Sequence, residues 1–131
     1  MKLIVAGSRD IHDKLWVWQT LNDRKKAISQ VVSGMALEWL WEKDPLVGGP
    51  DRYGYEWATA NGIDARAFPA DWRVGKSAGM RRNAEMADYA DLAFVFWDGQ
   101  SEGSADMINQ MRKRKKHVSI FRYGEPFHWD S

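Results

Sequence analysis

Five short apolar runs alternate with stretches of helical spacing, and this alternation is the tightest limit on how the chain can fold. The runs are 2–6 (KLIVA), 28–32 (ISQVV), 65–69 (ARAFP), 92–97 (LAFVFW) and 118–121 (VSIF). Each is short and mostly apolar, as a strand buried on both faces must be. Strands of that kind pair in parallel, and parallel pairing needs a crossover, usually a helix. The intervening segments supply them. Leu15, Trp16, Trp18, Gln19 and Leu21 fit a helix that Asp13 can cap. Further helices are expected over 51–61, with Gly62 as the stop, over 78–89 and over 105–115. Residues 35–44 read as helical turns, broken by Pro45 and Gly48-Gly49-Pro50, and the tail from Arg122 as irregular. Right-handed crossovers then predict an α/β, Rossmann-like, doubly wound domain. Its five-stranded sheet is mostly parallel and has helices on both faces.

The length of 131 residues suits one such domain, spanning 1–131. The net charge of +1 offers no general attraction for nucleic acid or a membrane surface, so neither is an expected partner. The absence of cysteine removes disulfides and thiolate chemistry. The apolar run in MKLIVAGSRD is too short for a signal peptide or a membrane span, and a cytoplasmic location is expected. No pair among His12, His117 and His128 has metal-ligand spacing, and no metal or cofactor is expected. Most of the eight tryptophans should fill the core, with a minority at a ligand site or an interface.

Ligands of doubly wound sheets bind outside the carboxyl ends of the strands, where the winding reverses. Those ends carry Gly7-Ser8-Arg9, Ser33-Gly34, Ala70-Asp71 and Asp98-Gly99. Beyond Asp98 the chain continues Gln100-Ser101-Glu102-Gly103-Ser104 into a helix. Glycines permit close backbone approach, hydroxyls can donate, and a helix N-terminus attracts an anion. Arg9 adds a planar fork suited to phosphate. Arg81-Arg82-Asn83 is either a solvated basic cluster or the source of one arginine that reaches a phosphate. The run 112–116 (RKRKK) reads as a solvated helix end that complements the helix dipole.

Taken in order, these motifs resemble the SLOG superfamily, the Rossmann-like domains of DprA/Smf proteins and LOG phosphoribohydrolases, and within it the YpsA-related branch. The matching residues are Gly7-Ser8-Arg9, 32–36 (VSGMA), Gly49-Pro50-Asp51, 68–72 (FPADW), 75–79 (GKSAG), 82–86 (RNAEM), Ala90-Asp91 and 96–104 (FWDGQSEGS). The resemblance implies a nucleotide or nucleotide-derived ligand, such as an ADP-ribose or NAD-like molecule. It makes Asp98 to Ser104 the phosphate loop, with Ser104 in the place of the LOG threonine. It assigns ligand contacts to Gly7, Ser8, Arg9, Ser33, Gly34, Asp51, Arg82, Asn83, Asp98, Gly99, Ser101, Gly103 and Ser104. Arg82 falls on the LOG arginine, while the LOG glutamate position holds Met107, so the hydrolytic pair is half present. Arg82 and Asp98 are the catalytic candidates, with Asp51, Glu102 and Asp106 as alternative sources of the carboxylate. About eleven residues, 38–48, interrupt the family pattern and are expected to be a lid or a subunit contact in a homo-oligomer. The leading expectation is ligand binding, as a sensor or in nucleotide metabolism. The alternatives are a phosphoribohydrolase and a DprA-like DNA-processing accessory protein.

Overall fold

The computed structural model describes residues 1–71, 73, 75 and 77–124. Five strands, β1 (Lys2–Gly7), β2 (Gln30–Ser33), β3 (Asp64–Ala67), β4 (Leu92–Trp97) and β5 (His117–Arg122), form one sheet in the order β3-β2-β1-β4-β5. Every pairing is parallel, including Ile4 with Val32 and Val5 with Phe94 in the register. The sheet is thus all-parallel rather than mostly so.

Four helices cover it: α1 (Lys14–Asn22), α2 (Gly49–Ala60), α3 (Ala78–Tyr89) and α4 (Glu102–Lys113). Alternation of side chains along each strand divides the core in two. Leu3, Val5, Val31 and Phe96 join Val17 and Leu21 of α1 and Tyr53 and Trp57 of α2 on one face. Ile4, Ala6, Val32 and Val95 join Met86 of α3 and Met107, Ile108 and Met111 of α4 on the other. No helix among the described residues is long and apolar enough to cross a membrane.

Element boundaries differ from the sequence expectations in identifiable ways. α4 begins at Glu102, not Ala105, because the Ser101 hydroxyl accepts from the Ser104 amide and caps the helix there. α2 begins at Gly49, two residues early, since Pro50 is accommodated in a first turn that needs no amide donor. Ile28 lies ahead of β2 and closes a short 3₁₀ turn while burying its side chain. β3 starts at Asp64 and stops at Ala67, short of Pro69. β5 takes in Arg122, so the tail begins later than expected, and 125–131, with His128, lie outside the described residues. Of 35–44, only Glu38–Leu40 is helical, as one 3₁₀ turn.

Candidate functional site

Strand β1 has β2 on one side and β4 on the other, so the winding reverses between β1 and β4. A crevice of about 510 Å³ opens above their carboxyl ends. It is the place where such a sheet leaves room for a ligand, because the two adjoining loops diverge to opposite faces. The β1 loop contributes Gly7, Ser8 and Arg9, and the β4 loop contributes Asp98, Ser101, Gly103 and Ser104. Asp51 arrives from the first turn of α2, and Arg82 and Asn83 from the second turn of α3.

The polar groups of the crevice divide into those that hold the scaffold and those that remain for a ligand. Ser8 is a scaffold residue: its hydroxyl accepts from the Asp98 amide at 3.0 Å and ties the two loops together. Ser33 does the same beneath the site, donating to the Asp51 carbonyl at 3.0 Å and accepting from the Met35 amide at 3.1 Å. The Asp98 carboxylate accepts from the amides of Gln100 and Ser101 at 2.8 and 2.9 Å. Those two amides hold its pKa below the usual carboxylate range. Asp98 is thus the ionised anchor of its loop.

Ser104 is different. Its residue is only 4 % exposed, yet its hydroxyl has no hydrogen-bond partner among the described residues. A buried hydroxyl left unpaired costs about 1–3 kcal/mol. It lines the crevice in the first turn of α4, beside amides that a helix cannot satisfy internally. Beyond its chain neighbours and the backbone of its own helix, no described atom lies within 4 Å of where a Cβ on Gly103 would sit. The start of α4 therefore offers donors next to open space.

Arg82 and Asp51 meet over Gly34. A Cβ on Gly34 would lie 2.6 Å from Arg82 Nη1 and 3.0 Å from Asp51 Oδ2, so only glycine lets both side chains settle there. Arg82 Nη1 donates to the Gly34 carbonyl at 2.6 Å and its Nε to Asn83 Oδ1 at 3.0 Å. Asn83 in turn donates through Nδ2 to Asp106 Oδ2 at 2.9 Å and the Gly103 carbonyl at 3.3 Å, which links α3 to α4. Asp51 is 7 % exposed and accepts from the Gly7 amide at 3.3 Å. Burial pushes its carboxyl up to about 6, against the opposing pull of the Arg82 guanidinium and that amide.

Ten of the residues singled out from the sequence therefore line one crevice. Three do not. Ser33 supports it from below, and Gly34 sits under Arg82 and borders a smaller neighbouring cavity. Gly99 packs against the Arg122 guanidinium. Asp10, Ala36, Gln100 and Met107 also line the crevice. Ala36, Gln100 and Met107 were marked by position in the motifs, but Asp10 was not among the site candidates. In the basic run 112–116, Arg114 pairs with Asp88 at 2.6 Å, and the Lys116 ammonium donates to the carbonyls of Ala87, Asp88 and Ala90. Among the described residues no group of three His, Asp or Glu side chains is placed to hold a metal ion. No protein-family model and no curated protein matches the chain.

Proposed function

We propose that this chain binds a nucleotide or nucleotide-derived phosphate ester in the β1/β4 crevice, as a SLOG-type sensor or nucleotide-metabolism protein. The observation that carries the reading is the buried, unpartnered hydroxyl of Ser104 at the start of α4. A phosphate oxygen there would accept from that hydroxyl and from first-turn amides, in the favourable field of the helix dipole. Arg9 and Arg82 line the same crevice and would neutralise the charge. The motif resemblance supports the same ligand class.

The test is a thermal-shift and calorimetric panel of AMP, ADP-ribose, NAD and inorganic phosphate. Nucleotides at about 100 times their Kd should stabilise the protein by about 2.7 kcal/mol. Gly103→Val should abolish the effect by filling the space at the phosphate. A panel that leaves the melting temperature unmoved would sink the reading.

A second reading, N-glycosidic hydrolysis of nucleoside monophosphates, is favoured by Asp51. A carboxyl titrating near 6 in the crevice is tuned for general acid–base work near neutral pH. It would take a proton from water as the water oxygen bonds to the ribose carbon, while the base leaves with the electron pair of the broken C–N bond and takes up a proton from solvent. This gives Asp51, rather than Asp98, the carboxylate part beside Arg82. Chromatography of AMP, GMP and CMP incubated with the pure protein tests it. Release of free base that Asp51→Asn abolishes without loss of binding would establish turnover; intact nucleotide would leave binding as the function.

A further inference from the structure

A smaller cavity of about 90 Å³ adjoins the crevice and shares Arg9, Ala36 and Arg82 with it. Its other walls include Leu37, Trp39 and Pro69. The two spaces differ in chemistry. The larger is edged by hydroxyls, carboxylates and helix amides, whereas the smaller adds the apolar and aromatic side chains of Leu37, Trp39 and Pro69 to Glu38 and the two arginines. A ligand spanning both would have a charged end and a flat, weakly polar end, with the two arginines at the join.

The aromatic wall is held in place at a cost. Met35 and Leu37 have φ values of 56° and 54°. Left-handed backbone at a non-glycine residue is unfavourable by roughly 1–3 kcal/mol and persists only where surrounding contacts enforce it. Those contacts are present. Ser33 Oγ accepts from the Met35 amide at 3.1 Å, and Trp41 Nε1 donates to the Ala36 carbonyl at 2.9 Å. The Arg52 guanidinium lies 5.4 Å from the centre of the Trp41 ring and donates to the carbonyls of Trp41, Asp44 and Val47. Trp41 is thereby packed inside the 38–48 segment while Trp39, two residues earlier, stays 60 % exposed at the cavity. The inserted segment is built around one tryptophan and presents the other.

We propose that Trp39 and the cavity beside it form the base subsite of the phosphate crevice, so that the ligand is a nucleoside phosphate whose ring stacks on the indole. The inference rests on the phosphate-binding reading above and adds the other half of the ligand. Stacking on an aromatic side chain is tolerant of base identity, because every base has a π-face. The subsite thus selects for the presence of a base more than for one base.

Calorimetry on the whole chain tests this with four nucleoside 5′-monophosphates and ribose 5-phosphate, which shares their phosphate and sugar but has no base. Wild-type protein should bind at least one nucleoside monophosphate tenfold or more tightly than ribose 5-phosphate. Trp39→Ala should remove that advantage and leave ribose 5-phosphate affinity unchanged, and Trp39→Phe should restore part of it. Ser104→Ala should weaken both ligands alike. Trp39 is exposed, so an unchanged melting temperature verifies that the variants fold. Equal binding of all five probes by wild type, or full nucleotide affinity in Trp39→Ala, overturns the base subsite while the phosphate site stands. Binding of none of the five overturns both.

Discussion

Asp51 is a buried carboxyl whose ionisation works against the fold. Its pKa of about 6 lies above the ordinary value of 3.8, so the fold favours the protonated form. Its contribution to stability is complete below the unfolded pKa and is lost as pH rises from about 4 through about 6. Asp51→Asn keeps an oxygen to accept from the Gly7 amide and never ionises. Urea denaturation should show that variant more stable than wild type by about 2–3 kcal/mol at pH 7.5, with the difference gone at pH 4. A constant difference across that range would mean that packing, not ionisation, sets it. Ser104 makes a parallel case. Ser104→Ala removes an unpaired buried hydroxyl, so the ligand-free protein should gain on the order of 1 kcal/mol while nucleotide affinity falls about tenfold. A loss of stability instead would show that the hydroxyl has a partner when no ligand is bound.

The elements that carry the site are braced against one another through polar side chains at their ends. The carboxyl end of α3 is closed by Lys116, whose ammonium takes three carbonyls at 2.7–2.9 Å from the turn before β5. A cation there also meets the negative end of the helix dipole. Lys116→Met keeps much of the aliphatic stem and removes the donors. It should cost about 1.5–3 kcal/mol in denaturant unfolding with nucleotide affinity unchanged, because the far end of α3 carries Arg82. An unchanged midpoint would reduce Lys116 to a surface contact. The basic run that reads as a solvated helix end is thus partly a clamp on the fold. It became one because β5 follows α4 closely and brings Lys116 under the carbonyls of Ala87 and Ala90.

At the scale of the whole molecule, a phosphate bound in the crevice as proposed would couple its charge to a titrating group. A phosphate bound near Asp51 adds negative charge where the carboxyl is already reluctant to ionise, and its pKa must rise further. Binding should therefore take up a proton near neutral pH and tighten as pH falls from 8 towards 6. Calorimetry in two buffers of different ionisation enthalpy would measure that uptake, and Asp51→Asn should reduce it. Uptake that persists in the variant would assign the proton to the phosphate itself.

Strand identity, helix identity and the α/β class were written in local pattern, because burial on both faces demands continuous apolar runs such as LAFVFW. The small and hydroxyl-bearing residues at the strand ends also fall on the crevice, since close packing there, as of Gly7 against the Phe96 carbonyl, restricts residue type. Their separate duties were beyond local pattern. Ser8, Ser33 and Ser104 look alike in sequence. Only the packed structure gives the first two partners 90 and 18 residues away and leaves the third without one among the described residues. Asp51 and Asp98 are likewise both aspartates within two residues of a glycine. One was driven up by burial under Arg82 and the other was held down by two amides of its own loop. Residue type and spacing set which groups can reach the site. Desolvation and long-range partners, which exist only once the sheet has brought β1, β2 and β4 side by side, decide what each group does there.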